Sequence, residues 1–150
     1  MARNLVIVVR GTPAPQGSKK FVGRAKSGRG ILVESSAKVR PWRQDVRAAA
    51  LEARGESAPL DGPVRCTMTF TLPKPGSAPK RRRSWPCRKP DASKLARSTE
   101  DALVEAGALV DDARIVELVV RKVFPLEGDD ALDSPGAVIR LAEIDDGSSP

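Results

Sequence analysis

The spacing of apolar residues along the chain predicts four β-strands. The β-branched run NLVIVVRG at 4–11 is continuous and ends at a glycine, which is typical of a buried strand. At 64–72 apolar side chains alternate with arginine and threonine, so this strand has one buried face and one polar face. Two further apolar runs, at 114–124 and 136–144, predict the remaining strands.

Two segments carry the 3.6-residue period of an amphipathic helix. The first, at 40–55, has Pro41 in its first turn and Gly55 at its end. The second, at 92–106, is followed by Gly107, a residue typical of a helix C-terminus. In the first helix the predicted inward residues are Trp42, Val46, Ala49 and Ala53, and the predicted outward ones are Arg40, Arg43, Arg47 and Arg54.

Proline, glycine and serine mark two long loops. The loop at 12–36 contains a short hairpin around KSGRG, with the strand-like ILVES after it. The loop at 74–90 is rich in proline and positive charge, and both oppose regular structure. Since strands and helices are mixed without strict alternation, we expect an α+β fold: a single mixed sheet with helices packed on one face. We assign one domain to 1–144 and a disordered tail to 145–150.

The charge balance indicates a polyanionic partner. The chain has a formal net charge of +7 and no histidine among its 150 residues. An excess of this size is typical of nucleic-acid-binding proteins, although a merely soluble basic protein also shows it. The absence of histidine removes the usual general base and the usual zinc ligand, so any acid–base or metal chemistry has to use carboxylates, lysine, arginine or water.

Cysteine usage and hydropathy narrow the class further. Cys66 and Cys87 have no CxxC spacing, so we expect free thiols rather than a zinc site or a disulfide. The apolar run LVIVV is too short for a signal peptide, and no run approaches the length of a membrane span. We therefore expect a cytoplasmic protein with no membrane association.

Acidic residues stand at both ends of the second helix. Asp91 precedes it, and Asp111 and Asp112 follow it. Taken singly, Asp91 is a helix N-cap, worth about 0.5–2 kcal/mol, and the adjacent pair is ordinary turn chemistry. Taken together, the three carboxylates suit Mg²⁺, which prefers hard oxygen ligands and leaves positions for water and phosphate. The chain order permits them to converge on one pocket.

Four segments, GTPAPQGSKK, RPWRQDVRAAA, KPDASKLARSTEDAL and GALVDDARIVELVVRK, follow one another in that order. This arrangement, from Leu5 to Phe124, resembles RusA-type Holliday-junction resolvases, especially their phage-associated branch. The resemblance implies a RusA-like fold and a homodimeric endonuclease that uses Mg²⁺, with Mn²⁺ as an alternative. Such an enzyme nicks two opposed strands of a four-way DNA junction. The resemblance also implies a bacterial host cell and a phage or prophage origin.

The resemblance assigns roles to individual residues. Asp91 corresponds to the first acid of the family's KPDxDN motif, and Asp112, with Asp111 beside it, corresponds to the acid of the DD pair. These three are the expected metal ligands and catalytic acids. Arg97 stands where the family usually has lysine, and we expect it to stabilise the charge of the phosphate in the transition state.

One position departs from the family pattern. The family's second acid, two residues after Asp91, is Ser93 here. Loss of a carboxylate removes a hard ligand and a negative charge, which puts the metal count and the rate in question more than the fold. Asp111 is one candidate to supply the missing carboxylate. Glu100 and Asp101 are poorer candidates on helical spacing, because ten residues from Asp91 correspond to about 15 Å.

The expected DNA contacts are basic side chains that position phosphates without reading sequence. They are Lys19, Lys20, Arg43, Arg47, Arg88, Lys89, Lys94 and Arg97. Two other functions stay open. Ser93 favours a junction-binding protein with lost or attenuated cleavage. A generic basic nucleic-acid-binding domain would bind linear and four-way DNA equally and would be indifferent to substitution of Asp91.

Overall fold

The computed structural model describes residues 2–17, 19–24, 30–34 and 37–145, and for 19–24 and 30–34 it describes the backbone only. The predicted tail therefore lies outside the described residues beyond position 145. In chain order the elements are β1 (Asn4–Arg10), β2 (Lys19–Arg24), β3 (Gly30–Glu34), α1 (Val39–Arg54), β4 (Val64–Thr71), α2 (Ala92–Glu105), a short 3-10 turn (Asp112–Arg114), β5 (Ile115–Val123) and β6 (Gly136–Glu143). The four strands and two helices predicted from the pattern are confirmed.

A mixed four-stranded sheet with the order β1-β6-β4-β5 forms the framework. The β4–β5 pair is parallel, with α2 in the connection between them, and the other two pairs are antiparallel. β2 and β3 form a separate antiparallel hairpin, which the sequence predicts around KSGRG, although the turn at 25–29 lies outside the described residues. The α+β prediction, with helices on one face of a mixed sheet, is confirmed.

The core lies between the sheet and the two helices. Val64, Cys66, Met68 and Phe70 of β4 are completely buried, as their alternation predicts. Burial raises the pKa of the Cys66 thiol to about 12, which keeps it protonated, and Cys87 is exposed; both are free thiols. On the other face of the sheet the β5–β6 loop covers one end, where the Leu132 amide donates to Thr71 Oγ1 at 2.9 Å.

Trp42 joins both helices to the sheet. Its indole Nε1 donates to Thr99 Oγ1 of α2 at 3.1 Å, and its ring lies 6.3 Å from that of Phe70 in β4. Trp42 and Val46 are buried and Ala49 packs against the core, as predicted. The predicted inward position of Ala53 is wrong, because Ala53 is exposed and Ala50 is buried instead.

We expect Trp42→Ala to lower the free energy of unfolding by about 3–5 kcal/mol, because it leaves a large cavity and an unpaired Thr99 hydroxyl. Chemical denaturation monitored by circular dichroism measures this loss. The control is Leu51→Ala, which removes a 39% exposed side chain from the same helix and should change stability by less than about 0.5 kcal/mol. Equal losses in the two variants would contradict the role assigned to Trp42.

Candidate active site

An acidic pocket of about 790 Å³ opens between α2, the 3-10 turn and β5. Ser93, Arg97 and Glu100 line it from one face of α2, at positions i, i+4 and i+7. Asp112 lines it from the turn that follows the helix, and Leu118 lines it from β5. The pocket therefore brings residues at 93 and 112, which are distant along the chain, to a common space.

The turn that carries Asp112 is held by the chain before β4. The Leu60 amide donates to the Ala108 carbonyl, and the Val110 amide donates to the Leu60 carbonyl, both at 3.0 Å. Asp111 then begins the 3-10 turn, and its Oδ1 accepts the Ala113 amide at 2.9 Å. Asp111 thus acts as a cap for this turn and does not line the acidic pocket, whereas Asp112 does.

Negative charge accumulates in the acidic pocket. Burial raises the pKa of Glu100, the carboxylates of Asp112 and Asp101 raise it further, and Arg97 opposes them. A side-chain hydrogen bond with Asp111 raises the pKa of Asp112, whereas the Ala113 amide lowers the pKa of Asp111. A cation placed among these carboxylates would relieve their repulsion.

Asp101 differs from its neighbour Glu100 in having a partner. Its Oδ2 accepts a hydrogen bond from Arg43 Nη2 of α1 at 2.6 Å. The ion pair links the two helices, and its Asp101 and Arg43 side chains are 35% and 29% exposed. Asp101 also lines the acidic pocket. Glu100 has no such ion pair among the described residues, which leaves its carboxylate available to a ligand.

Asp91 occupies the N-cap position of α2, but its side chain makes no capping hydrogen bond. It is exposed, its Oδ2 lies 3.9 Å from Lys94 Nζ, and it does not line the acidic pocket. A capping hydrogen bond to the start of α2 therefore does not account for the Asp91 carboxylate. The residues before Asp91 are held by Lys122 of β5, whose Nζ donates to the carbonyl oxygens of Arg88 and Pro90, each at 2.9 Å.

For the endonuclease activity that the resemblance implies, Lys122→Met is expected to reduce DNA cleavage by about 10- to 100-fold, because the segment before Asp91 loses the two hydrogen bonds that hold it. A kinetic assay of junction nicking measures the effect, with the melting temperature as a check on folding. Arg121→Met is the matched control, since Arg121 is the exposed neighbour on the opposite face of the sheet. A similar loss in both variants would contradict a positioning role for Lys122.

The donors of the acidic pocket fit a hard divalent cation. Gln16 also lines the pocket, and its Oε1 is buried without a hydrogen-bond partner among the described residues, so this oxygen is available to a ligand. Within the part of the chain that the structure describes, no three acidic, histidine or cysteine side chains form a metal-binding group. Mg²⁺ does not require one, because one or two carboxylates usually hold it together with waters and substrate phosphates.

The predicted DNA-binding residues fall into separate places. Arg43 and Arg47 line a wide groove of about 1130 Å³ along α1, together with Arg40. Arg88 and Lys89 line a second, proline-walled pocket, and Arg97 lines the acidic pocket. Lys94 lies beside Asp91. The side chains of Lys19 and Lys20 lie outside the described residues. All eight remain predicted contacts.

Three residues that line the acidic pocket or hold the segment before Asp91 were not identified from the sequence. Helical spacing from Asp91 disfavours Glu100 as a ligand, but Glu100 lines the same pocket as Ser93 and Asp112. The i, i+4, i+7 spacing of Ser93, Arg97 and Glu100 is the signal that could have found it. Gln16 and Lys122 carry no such signal, because loop closure and strand register bring them to the site.

Comparison with known proteins identifies a family for most of the chain. The family model described as Endodeoxyribonuclease RusA matches residues 10–131, well over half of the chain. A search for similar curated proteins found no match. Among the described residues, neither helix has the length and apolar character needed to cross a membrane.

Proposed function

Because the chain belongs to the RusA family of endodeoxyribonucleases, we propose that it resolves four-way DNA junctions by paired, Mg²⁺-dependent nicks, with Mn²⁺ as an alternative ion. The observation that carries the proposal is the acidic pocket, which joins Asp112 to Arg97 and Glu100. Its substrate would be branched DNA in the cytoplasm of a bacterial cell, and the gene would be of phage or prophage origin.

We propose that Asp112 and Glu100 hold the ion beside Gln16, and that Asp91, which does not line this pocket, contributes from the start of α2 through a bound water rather than as a direct ligand. The bound ion would supply Lewis-acid stabilisation of the scissile phosphate and a more acidic water. Glu100 thereby takes the place of the acid that Ser93 lacks, from two turns further along the same helix face. Asp111, the ligand proposed from the resemblance, is assigned instead to orienting Asp112, since it caps the turn.

Arg97 is proposed to bind the phosphate that undergoes attack. It is exposed, lines the pocket and lies close enough to Glu100 to lower the pKa of that carboxyl against the effect of burial. A guanidinium donates to two phosphate oxygens at once, so it both orients the group and stabilises the charge that develops in the transition state. The groove lined by Arg40, Arg43 and Arg47 would position a duplex arm by its phosphates.

Two symmetric nicks require two equivalent sites, so the proposal includes a homodimer with a two-fold axis. The outer edge of β5 supports it, because β5 is the last strand of the sheet and has no further neighbour among the described residues. Val116, Leu118 and Val119 on this strand are 63%, 42% and 36% exposed. An exposed apolar edge strand is a surface that a second copy can cover.

The experiment that tests the function is cleavage of an end-labelled four-way junction, beside a linear duplex of the same sequence. We expect paired nicks in opposed strands with Mg²⁺, none with chelator, and none with Asp91→Asn. Equal cleavage of the linear duplex would indicate a nuclease without selectivity for junctions and would contradict the proposal. Equal binding of the two DNAs, unchanged by Asp91→Asn and without nicking, would indicate a generic nucleic-acid-binding domain and would also contradict it.

A second candidate is a junction-binding protein with lost or attenuated cleavage, which the observation of Ser93 in the pocket favours. It predicts selective binding of the four-way junction without nicking in any divalent ion. A gel-shift assay run beside the cleavage assay separates the two functions, because only the resolvase converts the bound junction to nicked duplexes.

A further inference from the structure

A proline-walled pocket of about 530 Å³ lies beside the start of α2, apart from the acidic pocket. Its apolar lining includes Pro13, Pro75, Pro86 and Phe124, and it is within the range of small-molecule sites, roughly 300–1,000 Å³. Trp85 also lines it and is 56% exposed, an unusual state for the largest apolar side chain. The pocket thus presents a flat aromatic surface in a cleft.

The loop that carries Trp85 is held in place. Glu127 of the β5–β6 loop accepts the Ser84 amide at 2.8 Å and forms an ion pair with Lys74. The guanidinium of Arg83 lies over the indole ring of Trp85, 3.9 Å from its centroid. Such a contact orients the ring and costs little to maintain at a surface. Arg83 therefore covers one face of the indole ring, and a ligand in the pocket would stack on the other face.

The rim of this pocket is positive. Lys38, Arg88 and Lys89 line it, and no acidic residue does among those described. In addition, Ser84 Oγ is buried without a hydrogen-bond partner in the described chain, and Ser84 lines the pocket. A buried hydroxyl without a partner is costly unless a ligand supplies one. The pocket thus combines an aromatic face, a polar group without a partner and a cationic rim.

We propose that this pocket binds one unpaired nucleobase of the DNA substrate, stacked against Trp85. A base has a flat apolar face for the ring and polar edge atoms for Ser84, and its phosphates carry the charge that Arg88 and Lys89 complement. The inference rests on the proposed action on DNA. It adds a structural reason for choosing branch points, because bases leave the stack more easily there than within a duplex.

The position of the pocket relates the bound base to the site of cleavage. Lys89 and Pro90 line it, and the next residue is Asp91. Consecutive Cα atoms are about 3.8 Å apart, so the wall of the pocket adjoins Asp91 directly. Lys122 holds the carbonyls of Arg88 and Pro90, so the same contacts support the base pocket and Asp91.

The proposal is tested by comparing the protein's affinity for two single strands. One is a thymidine oligonucleotide about eight residues long, and the other is the same strand with one central abasic site. All proteins carry Asp112→Asn, so that cleavage does not enter and failure of the nuclease proposal remains a separate result. We expect the intact strand to bind about 5- to 150-fold more tightly than the abasic strand. Trp85→Ala should abolish this preference, and Trp85→Phe should retain part of it.

The control is Val6→Ala, a truncation of a 47% exposed side chain on β1, which should leave the preference unchanged. Alkylation of the exposed Cys87, which lines the pocket, gives an independent readout: the intact strand should protect it more than the abasic strand. A preference that survives Trp85→Ala, or equal protection by both strands, would overturn the proposal. If protection of Cys87 increased with protein concentration in the absence of DNA, a second copy of the chain would be covering the pocket, and the proposal would also be overturned.

Discussion

Asp112→Asn is expected to lower the rate of junction nicking by at least about 10³-fold while leaving junction binding within about threefold. Asparagine keeps the size and the oxygen acceptor but loses the charge. Lewis-acid stabilisation by a metal contributes several kcal/mol, and each 1.36 kcal/mol corresponds to a factor of ten in rate. Single-turnover cleavage at saturating protein measures the chemical step.

The adjacent acid supplies the matched control for this substitution. Asp111 caps the 3-10 turn through the Ala113 amide, and an asparagine side chain can accept the same hydrogen bond. We therefore expect Asp111→Asn to retain cleavage within about tenfold. A loss equal to that of Asp112→Asn would make Asp111 a ligand, as the resemblance alone implies, and would contradict the division of roles read from the pocket.

Glu100→Gln is expected to weaken Mg²⁺ binding and to lower nicking by about 10²–10³-fold, because it removes the carboxylate that we propose replaces the missing acid. Isothermal titration calorimetry of the protein without DNA measures the affinity for the ion independently of activity. Its neighbour Asp101 is the control, since it lines the same pocket but its carboxylate is paired with Arg43. Asp101→Asn should affect stability through the lost ion pair more than it affects the affinity for the ion.

The double variant Glu100→Gln/Ser93→Asp sharpens this test. Both positions line the same pocket, so a carboxylate returned at 93 should recover part of the lost affinity and rate. Ser93→Asp alone should add little, because it crowds a further negative charge against carboxylates whose pKa values are already raised. Strong activation by Ser93→Asp alone would indicate that Glu100 does not compensate, and would favour the attenuated, junction-binding protein.

The pocket also explains why the distance argument against Glu100 was incomplete. Measured along the helix from Asp91, Glu100 is far away, and that remains true. The relevant neighbours are Ser93 and Asp112, and the latter reaches the pocket only after the chain has passed the helix end and the Leu60–Leu109 bridge. Helical rise fixes separations within α2, whereas contacts between segments depend on how the turn docks.

The helices, the strands and the likeness to the family can all be predicted from the amino-acid sequence alone. Alternation at 64–72 and the helical period at 92–106 are local consequences of burying apolar side chains, so strands, helices and core positions such as Met68 and Leu103 follow from them. The match over residues 10–131 confirms the family, and it depends on motif order rather than on geometry.

Which polar residues line a common pocket depends on how the helices, strands and loops pack against one another. The register of β5 places Lys122 where its side chain donates to the Pro90 carbonyl, just before Asp91. The loop at 12–17 packs against α2, where the Gln16 amide donates to the Lys94 carbonyl at 3.0 Å. The same packing brings both Glu100 and Asp101 to the pocket and pairs only Asp101 with Arg43. These contacts join residues far apart in the chain, and their positions depend on how whole elements pack, which no local pattern of residues encodes.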